Sequence, residues 1–438
     1  TGFSFSLMPS PRFAAYAGAC YSTQRDAMAA APPHRTRIMR VVNRVGPLLA
    51  PRWPSLDADE IVRAASRAAK SDQFGDPHFL EALPRFLDAI EREADLSWLG
   101  RLMCRQSLQG FLQNRFSVLR HRAAHPALAG ARIERPVFIV GFPRTGTTIL
   151  HNLLAQDPAN RAPLAWEVQL PDPPPESATY ETDPRIGKAR ARFGHMDTMA
   201  PSLASIHEIG ADLPQECVPI LAQSMLGPQL NMIFNVPSYQ AWVDRQDHAP
   251  AYRYHRHFLE HLQSRHMKDR WVLKSPVHLR TLDALLNEYP DARIIFTHRD
   301  PAKTVPSLAS LFYVIRGMAS DSVDPAAVGR QQMSWWADSL DLSTAVRTQH
   351  SDKADQFMDI QFEEVVTDPV AALGRAYERF GIPWSSDVEK RMRSFLERNP
   401  RGKHGSHDYQ IEDFGLTLDQ IRERFEGYCT AYEVPLVL

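Results

Sequence analysis

Residues 136–148 are the most informative part of the chain, and they read Pro-Val-Phe-Ile-Val-Gly-Phe-Pro-Arg-Thr-Gly-Thr-Thr. The run 136–140 is short, apolar and rich in β-branched residues, which is typical of a strand buried on both faces. A loop bounded by glycines follows, and apolar residues then recur at helical spacing from Ile149 to Leu154. This order of strand, glycine-bounded loop and helix is typical of a nucleotide-binding βα unit.

The loop 141–148 has the composition of an anion-binding site. Its glycines, Gly141 and Gly146, allow consecutive backbone N–H groups to point inward at an anion. A helix that begins near Thr147 adds the positive end of its dipole. Three hydroxyls can donate further hydrogen bonds, those of Thr145, Thr147 and Thr148. An ordinary strand-to-helix turn is the alternative, but such a turn does not require three threonines and an arginine.

The loop departs from the Walker A pattern GxxxxGK[ST] at one position. Thr147 stands where that pattern has its lysine, and Arg144 lies inside the loop instead. A triphosphate with Mg²⁺ would therefore lack its usual clamp on the β- and γ-phosphates. The loop is better suited to a smaller dianion held by backbone N–H groups, hydroxyls and one guanidinium.

Three later segments predict further strands, at residues 271–274, 292–297 and 357–362. Leucines at helical spacing between the first two predict a crossover helix that ends near Tyr289. Strands that alternate with helices indicate an α/β fold, a P-loop-like parallel sheet flanked by helices. Ligands of such sheets bind at the carboxyl ends of the strands.

We divide the chain into a flexible N-terminal extension at residues 1–50, a helical region at 51–130 and a P-loop-like domain at 131–438. The start of the extension is rich in Ala and Arg, as transit peptides are, but the basic residues are mostly Arg along the whole chain. Asp57 is the predicted cap of a helix, and a longer periodic stretch ends near Pro126. The helical region is either a cap over a pocket or an appended bundle.

A second anion-binding element is predicted at Thr297-His-Arg-Asp-Pro301, directly after a strand. Arg299 offers a planar fork of donors for a phosphate, and Ser307 can add a hydroxyl. An Arg-Asp pair at a strand end is by itself more typical of a surface ion pair. Together with the loop after the first strand, however, it indicates two separated anion subsites. Such a pair suits a nucleotide that is phosphorylated at both ends.

In these two motifs the sequence resembles the sulfotransferases that use 3′-phosphoadenosine 5′-phosphosulfate (PAPS). Their 5′-phosphosulfate loop has the form [FY]-P-[KR]-[ST]-G-[ST]-[ST], which residues 142–148 match, and their 3′-phosphate element has Arg and Ser at the spacing of Arg299 and Ser307. The resemblance runs from about Arg135 to Gly415. It implies a P-loop-like α/β fold, transfer of a sulfonyl group to an acceptor hydroxyl, and release of adenosine 3′,5′-bisphosphate without a required metal.

The resemblance also implies roles for single residues. Arg144 would neutralise the bridging oxygen as the phosphate leaves, and Lys274 would contact the phosphosulfate. The general base is His278 or Glu167, with His207 as a further candidate. His278 stands two residues further from the lysine than in the family's Lys-Thr-His pattern, and Glu167 matches the position of the base in the tyrosylprotein-like branch.

Two other patterns have competing explanations. Arg401 and Lys403 partly resemble the family's basic loop over the 3′-phosphate, although a solvated charged loop would have the same composition. His257-Phe-Leu-Glu-His261 fits the HxxEH form of inverted zinc proteases. Aromatic and apolar neighbours favour an amphipathic helix packed on the sheet instead, and no third zinc ligand can be named.

Composition excludes several classes of protein. The chain has 438 residues, of which 44% are hydrophobic and 23% charged, as in ordinary globular proteins. Its 50 basic and 51 acidic residues give a formal charge of −1, which argues against a general nucleic-acid binder. No apolar run is long enough for a membrane span. Four scattered cysteines are typical of reduced thiols in a cytoplasmic protein.

We therefore expect a cytoplasmic, PAPS-dependent sulfotransferase with a small-molecule or lipid acceptor. Apolar and aromatic residues between positions 171 and 243 could line an apolar pocket, although their helical spacing is equally consistent with core packing. For the acceptor we favour a lipid, glycolipid or secondary metabolite over a protein. A P-loop kinase of a small metabolite and a non-catalytic nucleotide-binding sensor are the alternatives. Peripheral membrane contact is compatible with the sequence, which does not define an oligomeric state.

Overall fold

A five-stranded parallel sheet lies at the centre of the structure. The computed structural model describes residues 36–50, 54–76, 78–127, 132–199, 210–400 and 410–436. Within these residues the strands are β1 (Val137–Gly141), β2 (Asn160–Arg161), β3 (Arg270–Lys274), β4 (Arg293–His298) and β5 (Phe357–Gln361). Their spatial order is β2-β3-β1-β4-β5. The predicted α/β fold with a parallel sheet is confirmed.

Helices precede the sheet and cover both of its faces. Before β1 the helices are α1 (Arg37–Leu49), α2 (Ala58–Ala69), α3 (His78–Glu93) and α4 (Trp98–Ala124). Between β1 and β3 they are α5 (Thr147–Leu154), α6 (Ala165–Gln169), α7 (Pro184–Met199), α8 (Val218–Ala222), α9 (Gln229–Phe234), α10 (Pro237–Val243) and α11 (Ala249–Gln263). From β3 onward they are α12 (Leu282–Glu288), α13 (Pro301–Ala319), α14 (Pro325–Gln349), α15 (Phe362–Thr367), α16 (Pro369–Phe380), α17 (Ser386–Arg398) and α18 (Leu418–Ala431). Short 3₁₀ helices are at Ser177–Thr182, Pro276–Leu279, Ser351–Gln356 and Glu412–Phe414.

β1 is buried on both faces, as its apolar run predicts. Successive side chains of a strand point to opposite faces. Val137 and Ile139 accordingly pack into one layer with α5, α16 and α17. Phe138 and Val140 pack into the opposite layer with α11, α12, α13, α14 and α18. The helices therefore shield the sheet completely at its centre, and its polar functions are confined to strand ends.

The strand order reverses at β1. β1 pairs with β3 on one side, where Ile139 lies opposite Lys274, and with β4 on the other, where Gly141 lies opposite Thr297. Connections that leave in opposite directions open a crevice at the carboxyl ends of the strands. The loop after β1 and the residues that end β3 and β4 therefore meet at one edge of the sheet.

The N-terminal helices share a hydrophobic core with later parts of the chain. Asp57 caps α2 by accepting a hydrogen bond from the Glu60 N–H at 2.8 Å, as predicted. Leu112 of α4 is buried in one cluster with Phe234 of α9 and Tyr239 of α10. The helical region thus packs directly on the segment between β1 and β3.

Part of the predicted N-terminal extension is helical. Thr36 caps α1 by accepting from the Met39 N–H, and Asn43 accepts a hydrogen bond from the backbone of α4. Gly46 lies against the Trp98 ring, where a Cβ would come within 2.5 Å. Residues 1–35 lie outside the described residues.

No helix in the described ranges combines the length and the apolar character needed to cross a bilayer. Cys104, Cys217 and Cys429 are free thiols, and the first two are buried. Cys20 is not among the described residues. The packing of the described part of the chain therefore depends on its apolar clusters.

Candidate active site

Two glycines shape the loop that follows β1. Gly146 has a φ of +86°, and a Cβ there would lie 2.7 Å from the Val365 side chain. Gly141 has a φ of +154°, and a Cβ there would lie 2.1 Å from Thr297 Oγ1. Neither position has room for a side chain, and both backbone conformations favour glycine. Arg144 lies between them, is exposed and has a φ of +68°, in the left-handed region.

The three threonines of the loop differ in what they contact. The fully buried Thr145 donates a hydrogen bond to the Phe142 carbonyl at 2.6 Å, and its oxygen also lies 2.6 Å from Thr297 Oγ1. Its side chain therefore fastens the loop to β4. Thr147 and Thr148 form the start of α5, where backbone N–H groups lack helical partners and can bind an anion.

A buried lysine adjoins the first turn of α5. Lys274, the last residue of β3, is only 3% exposed. Its Nζ lies 3.4 Å from Thr148 Oγ1 and forms a close ion pair with Glu216. The Cys217 N–H donates to the Lys274 carbonyl at 3.0 Å, which holds the glutamate's backbone against the end of β3. The Lys274 ammonium group is thus fixed beside the loop in which Thr147 stands at the position of the Walker lysine.

Arg299 joins the second predicted subsite to the first. It follows β4, and its Nη1 donates a hydrogen bond to the Arg144 carbonyl at 2.7 Å. Its guanidinium lies 3.8 Å from the centroid of the Phe362 ring, a cation–π contact that orients the planar fork of donors. Ser307 lies further along α13 and is buried. Asp300 caps α13 by accepting from the Ala302 N–H at 2.8 Å.

A network of hydrogen bonds and ion pairs supports the end of β4 next to Arg299. His298 Nε2 lies 2.8 Å from Asp359 Oδ1, and its Nδ1 lies 3.1 Å from the Tyr428 hydroxyl. Arg347 donates to both oxygens of Asp359, at 2.7 and 2.9 Å. Burial alone would raise the pKa of Asp359, but hydrogen bonds from Arg347 and His298 hold that pKa below its usual range. The carboxylate stays charged and fixes His298 next to the arginine.

His278 lies in the protein core, within the 3₁₀ helix after β3. It is fully buried, and its ring packs edge-on against Phe138 of β1, 5.3 Å between centroids. Its Nδ1 lies 2.6 Å from the Tyr252 hydroxyl, and its Nε2 has no hydrogen-bonding partner within the described residues. Burial, with a smaller effect of His255, lowers the pKa of His278 well below 6.5. The contacts described for this ring are with Tyr252, Phe138 and His255.

Glu167 has both carboxylate oxygens engaged. Oε1 accepts from Arg161 at 2.5 Å, and Oε2 accepts from the Leu164 N–H at 2.8 Å and from the Tyr180 hydroxyl at 3.0 Å. The second of these bonds closes the capping box of α6. Glu167 is fully buried in this arrangement, which is that of a structural ion pair and helix cap.

Three predicted residues, His207, Arg401 and Lys403, lie outside the described residues. The HxxEH histidines lie on α11, as the amphipathic alternative predicts. There, His261 Nε2 lies 2.9 Å from the Pro171 carbonyl. Among the residues that the structure describes, no three His, Cys, Asp or Glu side chains come together as a metal site.

A family model described as "Sulfotransferase family" matches residues 136–386, more than half of the chain. This chain belongs to the sulfotransferase family. The matched segment contains the glycine-bounded loop, Glu216, Lys274 and Arg299. The chain is accordingly a sulfotransferase enzyme.

Individual relatives agree with this assignment. The omega-hydroxy-beta-dihydromenaquinone-9 sulfotransferase Stf3 of Mycobacterium bovis and Mycobacterium tuberculosis is 27% identical over 299 residues, 66% of this chain and 71% of that protein. The crystal structure of sulfotransferase STF1 from Mycobacterium tuberculosis is 32% identical with a TM-score of 0.76, over 85% of this chain and 98% of that one. STF9 from Mycobacterium avium is 28% identical with a TM-score of 0.80, over 88% and 98%.

The structure of the sulfotransferase also adds residues that sequence reasoning missed. Glu216 and the group of His298, Asp359 and Arg347 were not predicted to take part in the site. The sequence does contain a signal for the group around His298, because this residue lies inside the Thr-His-Arg-Asp motif. Glu216 has no motif around it, because its partner Lys274 is 58 positions later in the sequence.

Proposed function

We propose that this sulfotransferase uses PAPS as its donor and transfers the sulfonyl group to a hydroxyl of a lipid or other small molecule. The observation that supports it most is the hydrogen bond between Arg299 and the Arg144 carbonyl. It joins two cationic elements, each suited to one phosphorylated end of the donor. The fixed separation favours a nucleotide with charge at both its 3′ and 5′ ends.

The residues at the 5′ side fit a phosphosulfate. Gly141 and Gly146 leave a cradle that a Cβ would fill, and α5 directs its positive end there. Lys274, almost fully buried beside Thr148, supplies a cation without a Walker lysine. At the 3′ side we assign Arg299 and Ser307 and, from the partial resemblance of their segment to the basic loop of the family, Arg401 and Lys403.

When bound, PAPS supplies an activated sulfonyl group whose leaving group is a phosphate. Arg144 and Lys274 stabilise the negative charge that develops on that phosphate, because fixed cations act most strongly where water is excluded. Backbone N–H groups at Thr147 and Thr148 orient the same oxygens. Arg299 positions the adenosine end, so that acceptor and sulfur can align for in-line displacement.

A membrane lipid is the acceptor class that we favour. The relative Stf3 is named for a menaquinone-type lipid substrate. In addition, α1 has exposed apolar side chains at helical spacing and exposed arginines but no acidic residue. The apolar side chains are Val41, Val45, Leu48 and Leu49, and the arginines are Arg37, Arg40 and Arg44. Such a helix suits an anionic membrane surface.

Two measurements test this function. Adenosine 3′,5′-bisphosphate should raise the melting temperature more than ATP with Mg²⁺ does, because a ligand that binds the native state stabilises it. Radiolabelled PAPS should transfer its sulfonyl group to a lipid hydroxyl from an acceptor panel. Preferential stabilisation by ATP with Mg²⁺ and metabolite phosphorylation would identify a kinase. Bisphosphate binding with no sulfation of any acceptor would identify a sensor.

A separate experiment tests whether α1 binds a membrane surface. The wild type should sediment with phosphatidylglycerol-containing vesicles and not with pure phosphatidylcholine vesicles, and Leu48→Ser should weaken this binding. Leu342→Ser is the control, because Leu342 is also exposed but lies on α14. Equal binding of both variants would contradict the role of α1.

A further inference from the structure

The structure holds a carboxylate beside the proposed 5′ subsite that lies in none of the sequence motifs. Glu216 pairs with Lys274, whose Nζ lies 3.4 Å from Thr148 Oγ1 in the first turn of α5. The Lys274 ammonium group thus lies between the Glu216 carboxylate and Thr148, which we assign to the phosphosulfate. The Glu216 side chain is 19% exposed and is therefore not enclosed in the core.

The backbone around Glu216 is fixed on both sides. The Gln215 N–H donates to the Pro163 carbonyl at 2.7 Å, and the Cys217 N–H donates to the Lys274 carbonyl at 3.0 Å. The segment therefore lies against the carboxyl end of β3, where ligands of such sheets bind. A carboxylate on a fixed backbone is pre-oriented for proton transfer, which requires hydrogen-bond distance to the proton that is removed.

We infer that Glu216 is the general base that removes the proton from the acceptor hydroxyl. This inference rests on the proposed function. The acceptor oxygen forms the new S–O bond while the S–O bond to the 5′-phosphate breaks. The electron pair of the broken bond stays on the phosphate of adenosine 3′,5′-bisphosphate. The hydroxyl proton goes to the Glu216 carboxylate.

The ion pair with Lys274 couples proton transfer to departure of the phosphate. A protonated Glu216 no longer offsets the charge of the Lys274 ammonium. That charge then acts fully on the phosphate oxygen, at the moment when negative charge develops there. His278 and Glu167 lack such a position, since the first is enclosed in the core and the second has both oxygens engaged.

Two titratable groups next to the Glu216–Lys274 pair carry no charge at neutral pH. His151 on α5 and the adjacent Cys217 each interact electrostatically with both Glu216 and Lys274. Burial, with a smaller effect of Lys274, lowers the pKa of His151 to about 3, and burial raises the pKa of the Cys217 thiol. Both are uncharged at pH 7 and therefore add no charge next to the Glu216–Lys274 pair.

The test separates proton transfer from a structural role by two readouts that move in opposite directions. Glu216→Gln should lower kcat by roughly 100- to 10,000-fold, as loss of a general base does. The same variant should bind adenosine 3′,5′-bisphosphate more tightly, by about 3- to 30-fold in calorimetry, because a negative charge near the phosphate is removed. Glu216→Asp keeps the charge and should lower kcat with little change in bisphosphate affinity.

Asp212→Asn is the matched control. It removes a carboxylate from an exposed ion pair with Arg190 on the same segment, and should leave both readouts unchanged. An unchanged kcat in Glu216→Gln would overturn the inference, and so would a joint loss of kcat and bisphosphate affinity in Glu216→Gln and Glu216→Asp. If the wild type itself fails to bind the bisphosphate, the proposed donor is wrong and the inference falls with it.

Discussion

Replacing Arg299 with alanine tests the proposed 3′ subsite directly. In the free protein this removes a hydrogen bond to the Arg144 carbonyl and a cation–π contact with Phe362. Each is worth roughly 0.5–1 kcal/mol at a partly exposed site. With the bisphosphate bound, it also removes charge-assisted hydrogen bonds worth about 1.5–3 kcal/mol. We therefore expect Kd to rise by about 10- to 150-fold.

The effect is readily measured as ligand stabilisation. At a bisphosphate concentration of about 100 times the wild-type Kd, the ligand adds about 2.7 kcal/mol to the free energy of unfolding. A 30-fold weaker variant would gain only about 0.9 kcal/mol at the same concentration. Urea unfolding with and without ligand gives this gain for each protein. Arg330→Ala is the control, because Arg330 is 62% exposed on α14 and its ion pair within the described residues is a distant one with Asp324, at 3.9 Å.

Comparison with adenosine 5′-monophosphate assigns the loss to the 3′-phosphate. In the wild type the bisphosphate should bind more tightly than the monophosphate, and Arg299→Ala should remove most of that difference. A variant that keeps the full difference would refute the assignment of Arg299 to the 3′-phosphate. Equal losses of affinity for both nucleotides would do the same.

Three further predictions concern packing and acidity. Gly146→Ala should lower the free energy of unfolding by roughly 1–3 kcal/mol and weaken bisphosphate binding, since the new Cβ would lie 2.7 Å from Val365 at a φ of +86°; unchanged unfolding and binding curves would contradict this. Glu167→Gln should cost roughly 3–5 kcal/mol of unfolding free energy, because it leaves the buried Arg161 without its charge partner, and wild-type urea unfolding would argue against it. Burial lowers the pKa of three histidines to about 3: His151, His255 and His261. Because the unfolded chain binds protons near pH 6.5 and the native state does not, stability should fall as pH drops from about 6.5 towards 3, by up to about 2 kcal/mol per histidine at pH 5. Equal unfolding free energies at pH 7.5 and pH 5 would rule this out.

Most of the fold could be predicted from local patterns in the sequence. The apolar run before Gly141 became β1, the leucine spacing after β3 became α12, and the Asp57 cap began α2. β2 was missed because it has two residues, Asn160 and Arg161, with no apolar alternation. Its place in the sheet comes from pairing with β3, which sequence spacing does not encode.

The site was predictable to the extent that its residues lie in contiguous motifs. The loop with Arg144 and the segment with Arg299 are contiguous, and the fold brings them into contact. The burial of His278 was not predictable, because it depends on Tyr252 and Phe138, which are distant in sequence. A histidine close to a strand end has the same local sequence whether it faces the crevice or the core.

On the proposed function, the hydrogen bond from the Arg299 side chain to the Arg144 carbonyl fixes the spacing of the two anion subsites before any nucleotide binds. Abundant cellular nucleotides such as ATP carry all their phosphates on one side of the sugar, so they can occupy only one of the two anion subsites at a time. On the proposed function, selection of a scarce donor among plentiful competitors is thus a matter of span and needs no separate proofreading step.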